Sequence, residues 1–270
     1  MRLAELWDVT LGRRMTYRLM RWIVPDLVWN QQIYGTVVQR YTTRNTTWLD
    51  LGCGWRLLGK DLEPMEDSLV ASVRSIVGCD PDFHGVMRHR NIKKRVVGSA
   101  EALPFEDGSF DLLTCNMVVE HLGEPEKSFA EMVRVLRPGG QIVIHTPNLL
   151  NYAVFLNHTV ARWIPRKRVL ALIRFADMRE EDDIFVTYYR ANTVRRLLRV
   201  CGGLGLKEEF RRILTPPRPF FNFFAPLAFI QILLMRLSMS RYFRKFGATI
   251  LMVFKYEPEA RGMQAQVAAD

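Results

Sequence analysis

The sequence has 270 residues, of which 49% are hydrophobic and 24% charged. That length and balance supply one sizeable buried core with additions, and they exclude a disordered chain or one apolar enough throughout to live in a membrane. The formal net charge of +10 favours anionic partners, whether nucleic acid, anionic lipid or an acidic small molecule.

Residues 1–45 predict an N-terminal helical cap. Trp22, Ile23, Leu27, Trp29, Ile33, Tyr34, Val37 and Tyr41 recur there at roughly helical spacing, and Pro25 divides the stretch into two helices. Arg13, Arg14, Arg18 and Arg21 interrupt the apolar residues, so no signal-peptide core forms and a cytoplasmic protein is expected.

Residues 46–257 predict the main α/β domain. "TTWLDLG", "SIVGCD" (75–80), "RVVGS" (95–99), "FDLLTCN" (110–116) and "QIVIHT" (141–146) read as strands. Helical patterns lie between them at 64–74 and 124–140. In the second, Phe129, Met132, Val133 and Leu136 share a face, and Pro138-Gly139-Gly140 reads as its stop. Strand–helix alternation of this kind implies a doubly wound, mostly parallel sheet. A helix at 192–201 and strands at 206–214 and 248–256 follow, the last strand expected to pair antiparallel. Segments 148–190 and 215–246 read as insertions that bring helices to the acceptor side as a lid, and 258–270 as a disordered tail. In the first insertion basic residues (Arg166, Lys167, Arg168) precede acidic ones (Glu180 to Asp183).

Cys53, Cys79, Cys115 and Cys201 form no CxxC pair and no zinc spacing with histidine. They are expected to be reduced structural thiols, with no metal site.

Three stretches carry chemistry. In "WLDLGCGWRLL" (48–58) an apolar run ends in Asp50, with Gly52 and Gly54 after it. Glycines at the carboxyl edge of a parallel sheet let a ligand approach bare backbone, though a tight turn also wants them. The third small residue of a dinucleotide loop is missing, and Trp55 and Arg56 stand there instead. Gly59 and Pro64 place the start of the next helix late, which argues against a pyrophosphate site at its N-terminus. Asp80, ending the second apolar run, suits the two hydroxyls of a ribose; alternatively Asp80 or Asp82 caps a helix. The third stretch is "GSAEALPFEDGSFDLLTCNMVVEHL" (98–122), continued by "VLRPGGQIVIHTPN" (135–148).

Together with "LDLGCG" and "VGCDPD", these residues resemble the class I S-adenosylmethionine-dependent methyltransferases of the small-molecule and lipid branch, closely over about 46–148. The resemblance implies a Rossmann-like fold and S-adenosyl-L-methionine as cofactor. It implies that Asp50, Gly52, Cys53 and Gly54 border the methionine end, that Asp80 holds the ribose with Pro81 beside the adenine, and that Ser99, Ala100 and Glu101 line the adenine edge. Ser99 departs from the aspartate common there and loses the charge-assisted form of that contact. Asn116 and Met117 would face the sulfonium and the methyl path.

The expected reaction is methyl transfer, with O-methylation of a small-molecule, glycan or lipid-linked acceptor the first reading. The alternative is a catalytically silent cofactor-binding scaffold at a membrane or in a complex. His121, at the mouth, and His145, near the end of the fifth strand, are candidate bases, each with a bland alternative as a loop or core hydrogen-bonding group. Tyr188, Tyr189 and Arg190 are candidate substrate contacts, or helix entry and core. Arg56 is expected to point to solvent rather than to a cofactor carboxylate. "PFFNFFAPLAFIQILLM" (219–235) is uncharged between Arg218 and Arg236, too short and too polar to span a bilayer. It reads as an interfacial helix on an anionic membrane surface through 218–245, as a lid, or as buried core. "CNMVVEH" lacks the Asn/Asp-Pro-Pro-aromatic pattern of base methylation, which argues against nucleic acid.

Overall fold

The computed structural model describes residues 9–160, 186–216, 219 and 225–259. Its segments group into two compact units. A sheet unit comprises Gln31–Pro147, Thr187–Arg212 and Ile250–Asp270; a helical unit comprises Met1–Asn30, Asn148–Val186 and Ile213–Thr249.

Seven strands form one sheet: β1 (Thr47–Leu51), β2 (Ser75–Asp80), β3 (Lys94–Val97), β4 (Phe110–Asn116), β5 (Leu136–Pro147), β6 (Leu206–Leu214) and β7 (Thr249–Tyr256), in the order β3-β2-β1-β4-β5-β7-β6. The first five are parallel. β1, β4 and much of β5 are buried on both faces, so they read as apolar runs rather than alternations. β7 reverses direction as expected. Glu257 N donates to Gly205 O at one end of its pairing with β6, and Ala248 N donates to Leu214 O at the other. Register sets Asp50 between Gly78 on β2 and Thr114 on β4, and Leu51 between Cys79 and Cys115. All four cysteines are buried and unpaired with one another.

Eight helices accompany the sheet among the described residues: α1 (Val9–Ile23), α2 (Asn30–Arg40), α3 (Glu63–Ala71), α4 (Phe83–Met87), α5 (Pro125–Val135), α6 (Tyr152–Val160), α7 (Val194–Gly202) and α8 (Ala225–Ser238). α5 presents Phe129, Met132 and Val133 to the core. It stops at Val135, five residues short of the helix expected over 124–140. Pro138 has no N–H to continue a helix and disfavours the helical region for Arg137 before it. Leu136 is therefore already strand, and the register between β4 and β5 jumps from Phe110↔Leu136 to Leu112↔Gln141 across an irregular turn with Gly139 at φ +83°. α3 spans 63–71 instead of 64–74, with its proline in the first turn. Thr193 caps α7 by accepting from Arg196 N at 3.2 Å.

In the helical unit α1 packs on α8 through Met20, Val24, Ile232 and Met235. Asn148 Nδ2 donates to Lys245 O and Gly247 O, Asn151 Nδ2 to Phe246 O, and Gln231 Nε2 to the Tyr152 hydroxyl at 2.8 Å. The charge patches at Arg166–Arg168 and Glu180–Asp183, the phenylalanines at 220–224 and the tail from 260 lie outside the described residues. Among the described residues no helix is long and apolar enough to cross a membrane.

Phe129 is fully buried at the centre of the sheet unit's core. Phe129→Ala is expected to lower unfolding free energy by about 3–5 kcal/mol, read from urea denaturation.

Candidate active site

The loop after β1 is shaped by its two glycines. Gly52 and Gly54 have φ of +71° and +49°, a region that side chains resist. A Cβ at Gly52 would lie 2.2 Å from Val118 Cγ2, so the loop and the segment after β4 touch only because that atom is missing. A Cβ at Gly54 would meet nothing within 4 Å, so bare backbone faces open space. Cys53 turns the other way: it is buried, and its Sγ would stand 2.8 Å from a Cβ at Gly78.

Asp80 ties this loop to the next. Its Oδ2 accepts from Gly54 N at 2.8 Å and its Oδ1 from Asp82 N at 2.9 Å. Burial raises the Asp80 carboxyl, and these two N–H groups oppose the rise. The capping role falls to Asp82, which accepts from His84 N and Gly85 N at the start of α4.

Beneath the loop Trp48 Nε1 donates to Thr114 Oγ1 at 2.7 Å, and Thr114 donates in turn to Asp50. Asp50 is therefore held inside the sheet, and burial raises its carboxyl to about 7. At the carboxyl end of β4, Asn116 is locked. It exchanges amide hydrogen bonds with Gln31 of α2 at 3.0 and 3.2 Å, donates to Leu57 O at 3.2 Å, and meets His145 Nδ1 at 2.9 Å through Oδ1. An amide oxygen only accepts, so Nδ1 of His145 carries the proton. His145 is buried, stacks on Tyr34 with 5.6 Å between rings, and is pushed down to about 4 by burial. Met117 follows at φ +61°, its N–H donating to His145 O.

The outer rim comes from the segments after β2, β3 and β4. Gly98 N donates to Asp80 O, and Ser99 Oγ accepts from Glu101 N at 3.2 Å. Glu101 accepts from Glu124 N, and Pro81 and Ser99 are exposed while Ala100 is half-buried. The His121 side chain is 26% exposed, with Nε2 4.0 Å from Glu120 Oε1, and when protonated it favours the ionised Asp80. Glu120 itself is buried and accepts from Thr146 Oγ1 at 3.0 Å, while Asn192 donates to the same hydroxyl at 2.6 Å. The backbone oxygen of Glu120 accepts from Tyr188 N and Tyr189 N, and Arg190 donates to Gly123 O. Tyr188, Tyr189 and Arg190 are thus docked on the 120–123 turn beside His121. His145 sits apart in the buried layer with Asn116.

Arg56 departs from the expected solvent orientation. Its side chain is 14% exposed, 3.6 Å from Glu63 Oε1, with its guanidinium 4.0 Å over the Trp55 ring. Arg90 binds Asp67 at 2.6 Å and Glu66 at 3.3 Å, and Glu66 also accepts from Leu58 N. The sequence reading missed Gln31, Tyr34, Glu66 and Arg90. Gln31 and Tyr34 carried one signal: they stand three residues apart, on one stripe of a helix whose tyrosine falls on the apolar face.

This site suits a cofactor without phosphate. The helix after the loop opens with Glu63 and Glu66 in its first turn, carboxylates that would repel a pyrophosphate; Arg90 is bound by them, while Arg56 lies 3.6 Å from Glu63 with its Nε and Nη1 not hydrogen-bonded among the described residues. The bare Gly54 backbone and the Asp80 carboxylate fit an amino-acid end and a ribose.

The comparisons agree. Residues 49–144 match the family described as a methyltransferase domain. The chain is 30% identical over 128 residues to the ubiquinone biosynthesis O-methyltransferase of Xanthomonas oryzae pv. oryzae, covering 44% of this chain and 52% of that one. It is 47% identical over 49 residues to the demethylmenaquinone methyltransferase of Renibacterium salmoninarum, covering 18% and 21%. An S-adenosylmethionine-dependent methyltransferase from Methanosarcina mazei shares the fold, with a TM-score of 0.51 at 16% identity over 82% of this chain and 97% of that one. The chain spans about half the length, or less, of these curated relatives. Residues 49–144 thus match a methyltransferase domain, and the sheet shares the fold of that S-adenosylmethionine-dependent methyltransferase.

Asp50 yields a pH prediction. Its folded-state carboxyl lies near 7, above the usual value near 3.8, so between those values the folded chain holds a proton that the unfolded chain releases. Its contribution to stability falls as pH rises through that window and levels off above it. Asp50→Asn keeps an oxygen for Thr114 and is expected to flatten the fall, measured as urea midpoints from acid to neutral pH.

Proposed function

We propose that this protein transfers a methyl group from S-adenosylmethionine to a hydroxyl of a small-molecule, glycan or lipid-linked acceptor. The observation that carries the reading is the Gly54 backbone, bare toward open space and tied by its N–H to Asp80. When bound, the cofactor supplies an electrophilic methyl on its sulfonium. The O-methyl assignment is supported by the relative named for ubiquinone biosynthesis.

The residues divide the work. Each oxygen of Asp80 accepts one backbone N–H and keeps a lone pair for a ribose hydroxyl. Gly52, Cys53 and Gly54 offer backbone to the methionine end, with Asp50 anchoring the strand beneath. Ser99 accepts from Glu101 N and retains its own O–H for the adenine edge, beside Pro81, Ala100 and Glu101. Asn116 and Met117 bound the methyl path. His121 removes the acceptor's proton, and the Glu120 carboxylate 4.0 Å away favours the imidazolium so formed. Tyr188, Tyr189 and Arg190 bind the acceptor. His145 is too weak a base at about 4, and its task is to hold Asn116. Peripheral association with an anionic membrane through 218–245 belongs to the same reading, supported by Arg236, Arg241, Arg244 and Lys245 among exposed apolar residues.

Labelled methyl groups supplied as S-adenosylmethionine to a native cell extract are expected to enter the lipid or small-molecule fraction; label confined to nucleic acid or protein overturns the acceptor assignment. In that assay His121→Ala is expected to cut turnover by more than about tenfold with cofactor affinity retained, and a smaller loss removes the base role. Arg56→Ala is expected to change the dissociation constant for S-adenosylhomocysteine by less than about threefold, because the guanidinium lies over Trp55 and pairs at 3.6 Å with Glu63.

A further inference from the structure

The helical unit carries apolar surface that its own packing does not use. α8 is apolar on every side, with Arg236 its one charge. Ala228, Gln231, Ile232 and Met235 are buried, while Leu227, Phe229, Ile230, Leu233 and Leu237 stay exposed. A helix apolar all round in a water-facing position calls for an apolar neighbour. α1 adds aromatic groups to the same unit: Trp22 is 80% exposed.

One part of this surface is concave. Leu150, Tyr152, Pro216, Leu234, Leu237 and Phe243 are among the residues lining a half-enclosed slot of about 270 Å³. That volume lies just under the range of sites for drug-sized ligands, and it suits one narrow chain. The polar groups on its wall are engaged elsewhere: Asn151 Nδ2 with Phe246 O, the Tyr152 hydroxyl with Gln231, Ser238 Oγ with Met235 O. The slot therefore offers an occupant no polar recognition.

Its edge supplies charge of one sign. Phe243 and Phe246 line the slot, and Arg241, Arg244 and Lys245 are interleaved with them, all exposed. Arg241 lies 5.9 Å over the Tyr242 ring and Lys245 5.0 Å over the Phe246 ring, the placement of cations at the border of an apolar phase. From Phe210 to Gly247 the sequence has seven basic residues and no acidic one. An apolar slot with a cationic edge and exposed aromatic side chains is complementary to a lipid with a negative headgroup at a bilayer surface.

We propose that the helical unit docks on an anionic phospholipid bilayer, with one acyl chain entering the slot lined by Leu234, Leu237 and Phe243 and the lipid phosphate held by Arg241, Arg244 and Lys245. The proposal rests on the peripheral association stated above and names its site and ligand. A second copy of this chain, covering α8 by its own α8, is the competing occupant.

The test is cosedimentation of the full chain with phosphatidylcholine vesicles, with or without phosphatidylglycerol, at low salt. Anionic vesicles are expected to be bound at least about tenfold more tightly than neutral ones, from three cations near the surface. Arg241→Ala, Arg244→Ala and Lys245→Ala combined are expected to abolish that preference. Ser238→Trp fills the slot without altering charge and is expected to weaken anionic binding by more than about tenfold, with an unchanged thermal midpoint as the folding control. Leu237→Asp, at an exposed position, supplies a second slot variant should the tryptophan disturb folding. Equal binding of both vesicles, wild-type binding by the slot variants, or no binding together with dimers in gel filtration each overturns the proposal. Calorimetry with S-adenosylhomocysteine on the same preparations separates the two readings: vesicle binding without cofactor binding sinks the methyltransferase assignment alone, and the reverse sinks this one alone.

Discussion

The carboxylate of Asp80 accepts hydrogen bonds from backbone groups on two different loops, and the geometry of the site follows from that pair of contacts. Gly54 N belongs to the turn after β1, and Asp82 N to the turn after β2. An ionised carboxylate at a strand end is costly to bury unless donors meet it, and these loops supply them. The carboxylate in turn fixes Gly54 at a φ of +49°, where its bare backbone faces outward. The same tie leaves α4 to be capped by Asp82.

Electrostatics beyond the loop select the kind of ligand. Glu63 and Glu66 open α3 with negative charge and draw in Arg56 and Arg90. A phosphate-binding loop needs donors and positive charge at that point, whereas a zwitterion with no phosphate needs only backbone and space. Trp55 and Arg56, which broke the dinucleotide pattern, stack on each other, with the guanidinium 3.6 Å from Glu63.

β2 and β4 were legible because they are largely buried, so "SIVGCD" and "FDLLTCN" stood out as continuous apolar runs with the observed bounds. α5 was legible in its buried face but not in its end, where a proline placed two residues into the strand mimicked a helix stop. The five-residue α4 left no periodicity to read. In the site, the residues on strand ends and glycine turns announced themselves through spacing. Gln31 and Tyr34 did not, because they reach Asn116 and His145 from a helix more than 80 residues earlier, and nothing local encodes that approach. The orientation of Arg56 was misjudged for a related reason: its partner Glu63 becomes near only once the late start of α3 folds back on the loop.

The missing Cβ at Gly52 has a mechanical meaning. With Val118 filling the space where a side chain would stand, the glycine loop and the turn after β4 interlock like a tongue in a groove. Asp80 clamps the loop on its other flank, and Met117 is fastened to β5 through His145 O. A side chain added at Gly52 would therefore drive Val118, and the turn after β4 that carries it, away from the loop.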